Sequence, residues 1–147
     1  MSQKLSIGDA EVQIPNKWAF SSTLLHFEGE DLSQDPRPFA ANVVVQSRID
    51  VPDGTAAELV ATADLSLLKT NLPGFQLVSD QDAKAGQKSV TAIEYTFRDS
   101  SERVLQQLIL YCQSGKRLYT VTATHVAGSR FGVAKEAVLR MASDLIR

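Results

Sequence analysis

The sequence predicts an α+β domain: a twisted antiparallel β-sheet with two main α-helices packed on one face. Three observations predict it. Short β-branched and aromatic runs recur between turn residues. Only two stretches carry helical spacing. The later runs follow one another in meander order across short loops, as antiparallel neighbours do.

At 147 residues, the chain reads as a single domain spanning residues 1–147. A chain this long buries roughly 68–70% of its unfolded surface, so it folds without a disulfide or metal. The apolar fraction is 44% and the charged fraction 22%, ordinary for a globular protein.

Leu5 to Ile14 reads as two short strands around Gly8-Asp9, broken by Pro15-Asn16 before Trp18, which reads as a core anchor. Phe20 to Phe27 is a strand, Glu28 to Pro38 a polar loop, and Phe39 to Arg48 the next strand. Thr55-Ala56-Ala57-Glu58 has the form of a capping box. Leu59, Val60, Ala63, Leu67 and Leu68 follow with helical spacing until Asn71-Leu72-Pro73-Gly74 stops the helix. Four strands come next: Phe75 to Ser79, Ser89 to Arg98, Arg103 to Gln113 and Arg117 to Thr124. Ser129 reads as the N-cap of a last helix, whose apolar stripe is Phe131, Ala134, Val138, Met141 and Leu145.

A sheet with one solvated face should alternate apolar with polar. Here Leu105, Ile109 and Tyr111 share one face of their strand while Val104, Leu108 and Leu110 share the other. Two helices suffice for one face. The second should carry an apolar patch with scattered polar groups such as Gln107 and Thr23. Such a patch marks a binding surface, unless loops and the N-terminal hairpin cover it or a second copy of the chain buries it.

Several functions find no support in the residues. Net charge is −2 with signs interspersed, so no basic stripe offers itself to nucleic acid. His26 and His125 have no ligand-spaced Cys or acidic partners and read as surface or strand-end residues; no metal is expected. Cys112 reads as a small buried hydrophobe, and no serine lies in a nucleophile elbow. Asp80, Asp82 and Asp99 sit by turns, where aspartate caps the backbone. No glycine motif cradles a phosphate. The expectation is no enzyme and no cofactor. No apolar run approaches the roughly 20 residues of a membrane span, and the N-terminus shows no export or lipidation signal. Stable membrane insertion is not expected, and the location is read as cytoplasmic.

Val12-Gln13-Ile14-Pro15-Asn16-Lys17-Trp18, the turn Leu72-Pro73-Gly74-Phe75, Tyr95-Thr96-Phe97, Leu105-Gln106-Gln107-Leu108-Ile109 and Leu118-Tyr119-Thr120-Val121-Thr122 together resemble the DcrB-related family. The resemblance implies the fold shared with PsbP and Mog-type proteins. Within that family the chain looks like the cytosolic Eag chaperones of bacterial type VI secretion. These are homodimers that hold the apolar N-terminal transmembrane helices of a secreted effector in a sheet groove before loading on the spike. The implied groove residues are Thr23, Leu25, Val44, Leu105, Gln107 and Ile109; a second groove glutamine, expected on the first helix, is replaced by Ala63 or Asp64. The rival functions are an adaptor of the same fold that recognises a folded partner, and a small-molecule binder using the same concavity.

Overall fold

Leu108, Leu110 and Cys112 alternate with Ile109 and Tyr111 along one strand, and all five are buried. Successive strand residues point to opposite faces, so this strand needs a layer of structure on each side.

The computed structural model describes residues 2–7, 10–15, 22–26 and 42–146, with side chains from residue 42 onward except 129, 130 and 145. In chain order the elements are β1 (Ser2–Ile7), β2 (Ala10–Pro15), β3 (Ser22–His26), β4 (Asn42–Ser47), α1 (Ala57–Asn71), β5 (Gln76–Ser79), β6 (Ala83–Ala85), β7 (Lys88–Arg98), β8 (Val104–Ser114), β9 (Arg117–Val126) and α2 (Ser129–Leu145). β1 and β2 form their own antiparallel hairpin. The main sheet is antiparallel in the order β3-β4-β9-β8-β7-β5, and β6 pairs with the start of β7.

Local chemistry sets the turns. Gly115, at φ +64°, takes the first central position of the two-residue β8–β9 loop. Asp99 Oδ1 accepts the backbone N–H groups of Ser101 (2.8 Å) and Arg103 (2.9 Å), which closes the β7–β8 turn. Gly74, at φ +63°, follows the end of α1.

The α+β class and the antiparallel sheet stand as predicted; the placing of the helices does not. Phe131, Val138 and Ala142 of α2 pack with Leu108, Leu110 and Cys112. Ala57, Val60 and Ala61 of α1 pack with Ile93, Tyr95, Ile109 and Tyr111. The two helices therefore cover opposite faces, in three layers. The cause is the apolar character of both faces of β7 and β8, each of which needs cover.

Smaller expectations also change. The Thr55–Glu58 capping box does not form: α1 starts at Ala57, and the Thr55 hydroxyl instead donates to Pro52 O (2.6 Å) within the preceding turn. The buried line of α1 is Ala57, Val60 and Ala61, extended by half-buried Leu65 and Leu68, while Leu59, Ala63 and Leu67 are exposed. Gly128, not Ser129, is the N-cap of α2. His125 lies near the end of β9 but is buried. Cys112 is fully buried, as read, and burial pushes its thiol up to about 11. Trp18 and the loop from Glu28 to Pro38 lie outside the described residues.

Candidate functional site

Residues directly opposite in an antiparallel sheet share a face, so the register sorts the six groove residues. One row across the sheet is Leu24, Val44, Thr122, Ile109 and Ile93. The next holds Asn42, Thr124, Gln107 and Tyr95. A third holds Val126, Leu105 and Phe97. Val44, Leu105, Gln107 and Ile109 thus come together on the α1 face. Thr23 and Leu25 do not: they stand in the rows of Val45 and Val43, and Leu24 takes the place in the row of Val44. The placement of Thr23 and Leu25 that the resemblance implies is therefore off by one residue, and a one-residue offset moves a strand's whole set to the other face.

α1 lies over β7 and β8. Ile109 and Leu105 are buried, at 9% and 5% exposure. Val44 on β4, Thr122 on β9 and Gln107 on β8 are half-buried. Along the flank of α1 runs a hollow of about 200 Å³ lined by Asp64, Leu67, Leu68, Asn71, Leu72 and Ile109.

Two polar groups of residues stand on this face. Gln107 accepts the Tyr95 hydroxyl at Oε1 and donates through Nε2 to Thr124 Oγ1 (2.7 Å). A carboxamide can make four hydrogen bonds; these two leave one N–H and one lone pair. Asp64 Oδ2 accepts the Tyr111 hydroxyl (2.8 Å) and Arg48 Nη1 (2.7 Å), and Oδ1 accepts Arg48 Nη2 (3.2 Å). Arg48 also reaches Asp50 through Nε and Nη2, both at 2.9 Å. Those hydrogen bonds, to Asp50 first and then Asp64, hold the guanidinium above its ordinary value and draw Asp50 below the usual carboxylate range. Burial raises the Tyr95 and Tyr111 phenols, and the bond to Asp64 raises Tyr111 further. Asp64, noted in the sequence only as a replacement for glutamine, is the polar centre of the α1 flank. Its partners Arg48 and Tyr111 lie 16 and 47 residues away, and no local motif announces them. Tyr95 is likewise absent from the groove residues read in the sequence, although a signal for it exists: counting back from the Asp99–Arg103 turn pairs it with Gln107.

The α2 face carries a third polar group. Glu94, 7% exposed, accepts Lys135 Nζ at Oε1 (2.8 Å) and Gln106 Nε2 at Oε2 (2.6 Å). It edges a cavity of about 260 Å³ between α2 and the β5–β6 connection, floored by Ala92 and Leu108. Among the described residues, no buried side-chain polar atom lacks a hydrogen-bond partner, no cluster of His, Cys, Asp or Glu is placed to hold a metal, and no helix is long and apolar enough to cross a membrane.

The chain is similar in structure to PA94 of Pseudomonas aeruginosa, a protein of unknown function, with TM-score 0.61 at 17% identity over 99% of this chain and 96% of that one. It aligns less well with LpqN, involved in cell envelope biogenesis of Mycobacterium tuberculosis, with TM-score 0.43 at 17% identity over 99% and 87%. The first likeness is one of fold; the second is too low to bear on the argument. No curated protein matches. Residues 32–137, most of the chain, match the DcrB family: the chain belongs to the DcrB family.

Proposed function

We propose that this protein is a cytosolic, effector-specific chaperone or adaptor of the Eag type, a homodimer without catalytic activity. It holds the apolar N-terminal helices of a type VI secretion effector on its α1-side sheet face until they are loaded on the spike. The observation that carries the reading is the row Val44–Thr122–Ile109 beside Gln107: a largely apolar strip, half-buried at Val44 and Thr122, with a carboxamide that has bonding capacity to spare.

The chemistry suits such a guest. A transmembrane helix in water gains about 25 cal/mol for each Å² of apolar surface covered. Where it ends or breaks, its backbone groups need partners, and the second N–H and lone pair of Gln107 can supply them. Thr122 adds a hydroxyl within the same strip.

The test is co-expression with an effector fragment carrying N-terminal apolar spans. The protein is expected to keep the fragment soluble and to co-purify with it. Val44→Glu, on the half-buried strip, is expected to fold and to lose the fragment. If Val44→Glu folds and the fragment is held as before, the strip is not the binding surface. If the wild-type protein leaves such fragments insoluble, the chaperone reading itself fails.

A further inference from the structure

The hollow beside α1 has a shape and chemistry more specific than an apolar strip. Four aliphatic side chains, Leu67, Leu68, Leu72 and Ile109, make most of its lining; Asp64 lies among them, and Asn71 is exposed to solvent, where water can serve its amide. At about 200 Å³ it falls below the roughly 300–1,000 Å³ of pockets that enclose whole small ligands. A space of that size fits one side chain projected from a larger partner.

The carboxylate decides which side chain. Asp64 Oδ2 already takes two hydrogen bonds, from Tyr111 and Arg48, whereas Oδ1 takes a single long one of 3.2 Å. A carboxylate oxygen accepts two, so Oδ1 has an acceptor site left beside apolar walls. The complementary group is a large apolar body that ends in a donor and brings no acceptor to be desolvated. Indole fits: its N–H only donates, and its ring supplies a large apolar area at small conformational cost. Lysine also ends in a donor, but its thin stem fills less of the hollow and its ammonium is costly to dehydrate.

We propose that this hollow takes a single tryptophan side chain of the protein guest, with the indole N–H donated to Asp64 Oδ1. The inference rests on the guest-holding reading for the source of the tryptophan. It adds the selection rule: a guest helix with tryptophan at the position facing α1 is preferred over one with phenylalanine.

The experiment is an NMR titration of the whole chain with three probes: indole, 1-methylindole and n-butylamine. Indole is expected to shift the methyl resonances of Leu68, Leu72 and Ile109. 1-Methylindole, the same ring without the N–H, is expected to need at least tenfold higher concentration, and n-butylamine to leave these methyls unmoved. Equal binding of the two indoles, no shift at these methyls, or stronger binding of the amine would each overturn the proposal. None of these readouts depends on effector capture. Failure here with capture intact rejects the tryptophan assignment alone, and loss of capture by the wild-type protein rejects the wider reading.

Discussion

Ile109 and Leu105 are 9% and 5% exposed, so a glutamate at either position must enter the core under α1. Ile109→Glu or Leu105→Glu is therefore expected to destabilise the fold by roughly 3–5 kcal/mol, the lost apolar burial plus a carboxylate drawn out of water. Urea denaturation measures this. A change below about 1 kcal/mol would mean that the side chain escapes to solvent. The phenols of Tyr95 and Tyr111 give a second residue-scale expectation. Both are held above the ordinary tyrosine value, chiefly by burial. A raised folded value contributes stability that is fully present below the unfolded value, near pH 10. Above that pH the unfolded chain releases protons that the native chain keeps, so stability falls by up to about 1.4 kcal/mol per pH unit for each tyrosine. Cys112, pushed up to about 11 by burial, adds a loss of the same sign from about pH 9 upward. Tyr95→Phe and Tyr111→Phe should each flatten the alkaline limb of a stability–pH curve. An unchanged limb in both variants would show that these phenols ionise freely in the native state.

At the scale of elements, Arg48 is the tie between α1 and the sheet. It leaves the end of β4, reaches Asp64 in mid-helix and Asp50 beside it, and Asp64 in turn receives Tyr111 from β8. Arg48→Met keeps much of the apolar stem and removes the tie, leaving Asp64 with Tyr111 alone. The expected cost is about 1–3 kcal/mol, with amide exchange in α1 accelerated more than in β8 or β9. Equal acceleration everywhere would mean that α1 has no independent opening. The elements were unevenly legible in the sequence. β7, β8 and β9 lie within one or two residues of the ranges read from their β-branched and aromatic runs. β6, the tripeptide Ala83-Lys84-Ala85, carries no such residue and pairs only because the chain returns along the start of β7. Leu59 and Leu67 share helical spacing with Val60 and Leu68, yet 68% and 61% of their surface is exposed. Periodicity shows that a stripe exists; where its edge falls depends on how the helix is rotated on the sheet. Of the site, the Leu105–Gln107–Ile109 set was legible from period two alone. The place of β3 was not, because its register comes from pairing with β4 across a long polar connection.

For the whole molecule, the placing of α1 and α2 on opposite faces makes β8 the middle of three layers as well as a central strand. Its amides, with those of β9, should be the last to exchange, at the free energy of global unfolding. Faster exchange in β8 than in β4 would contradict this. The homodimer expected of an Eag-type protein is a separate matter, decided by sedimentation at micromolar concentration. The expected species has twice the 16.0 kDa of the chain, and an interface of standard size buries roughly 1,600 Å² in total. A single species at the monomer mass would remove the dimer from the proposal.

Gln106 and Gln107 stand back to back in β8. One reaches Glu94 beneath α2, and the other joins Tyr95 and Thr124 on the α1 side. Each amide finds its partners on one face only. If β8 were to pair one residue out of step, both would exchange faces together: Gln106 would lose Glu94, and Gln107 would meet the apolar floor under α2. An aliphatic pair at these positions would tolerate the slip, since leucine or valine suits either face. The adjacent glutamines therefore act as a spelling check on strand assembly. They penalise a mispaired sheet twice over, on both surfaces at once, in a strand whose apolar residues would otherwise accept either alignment.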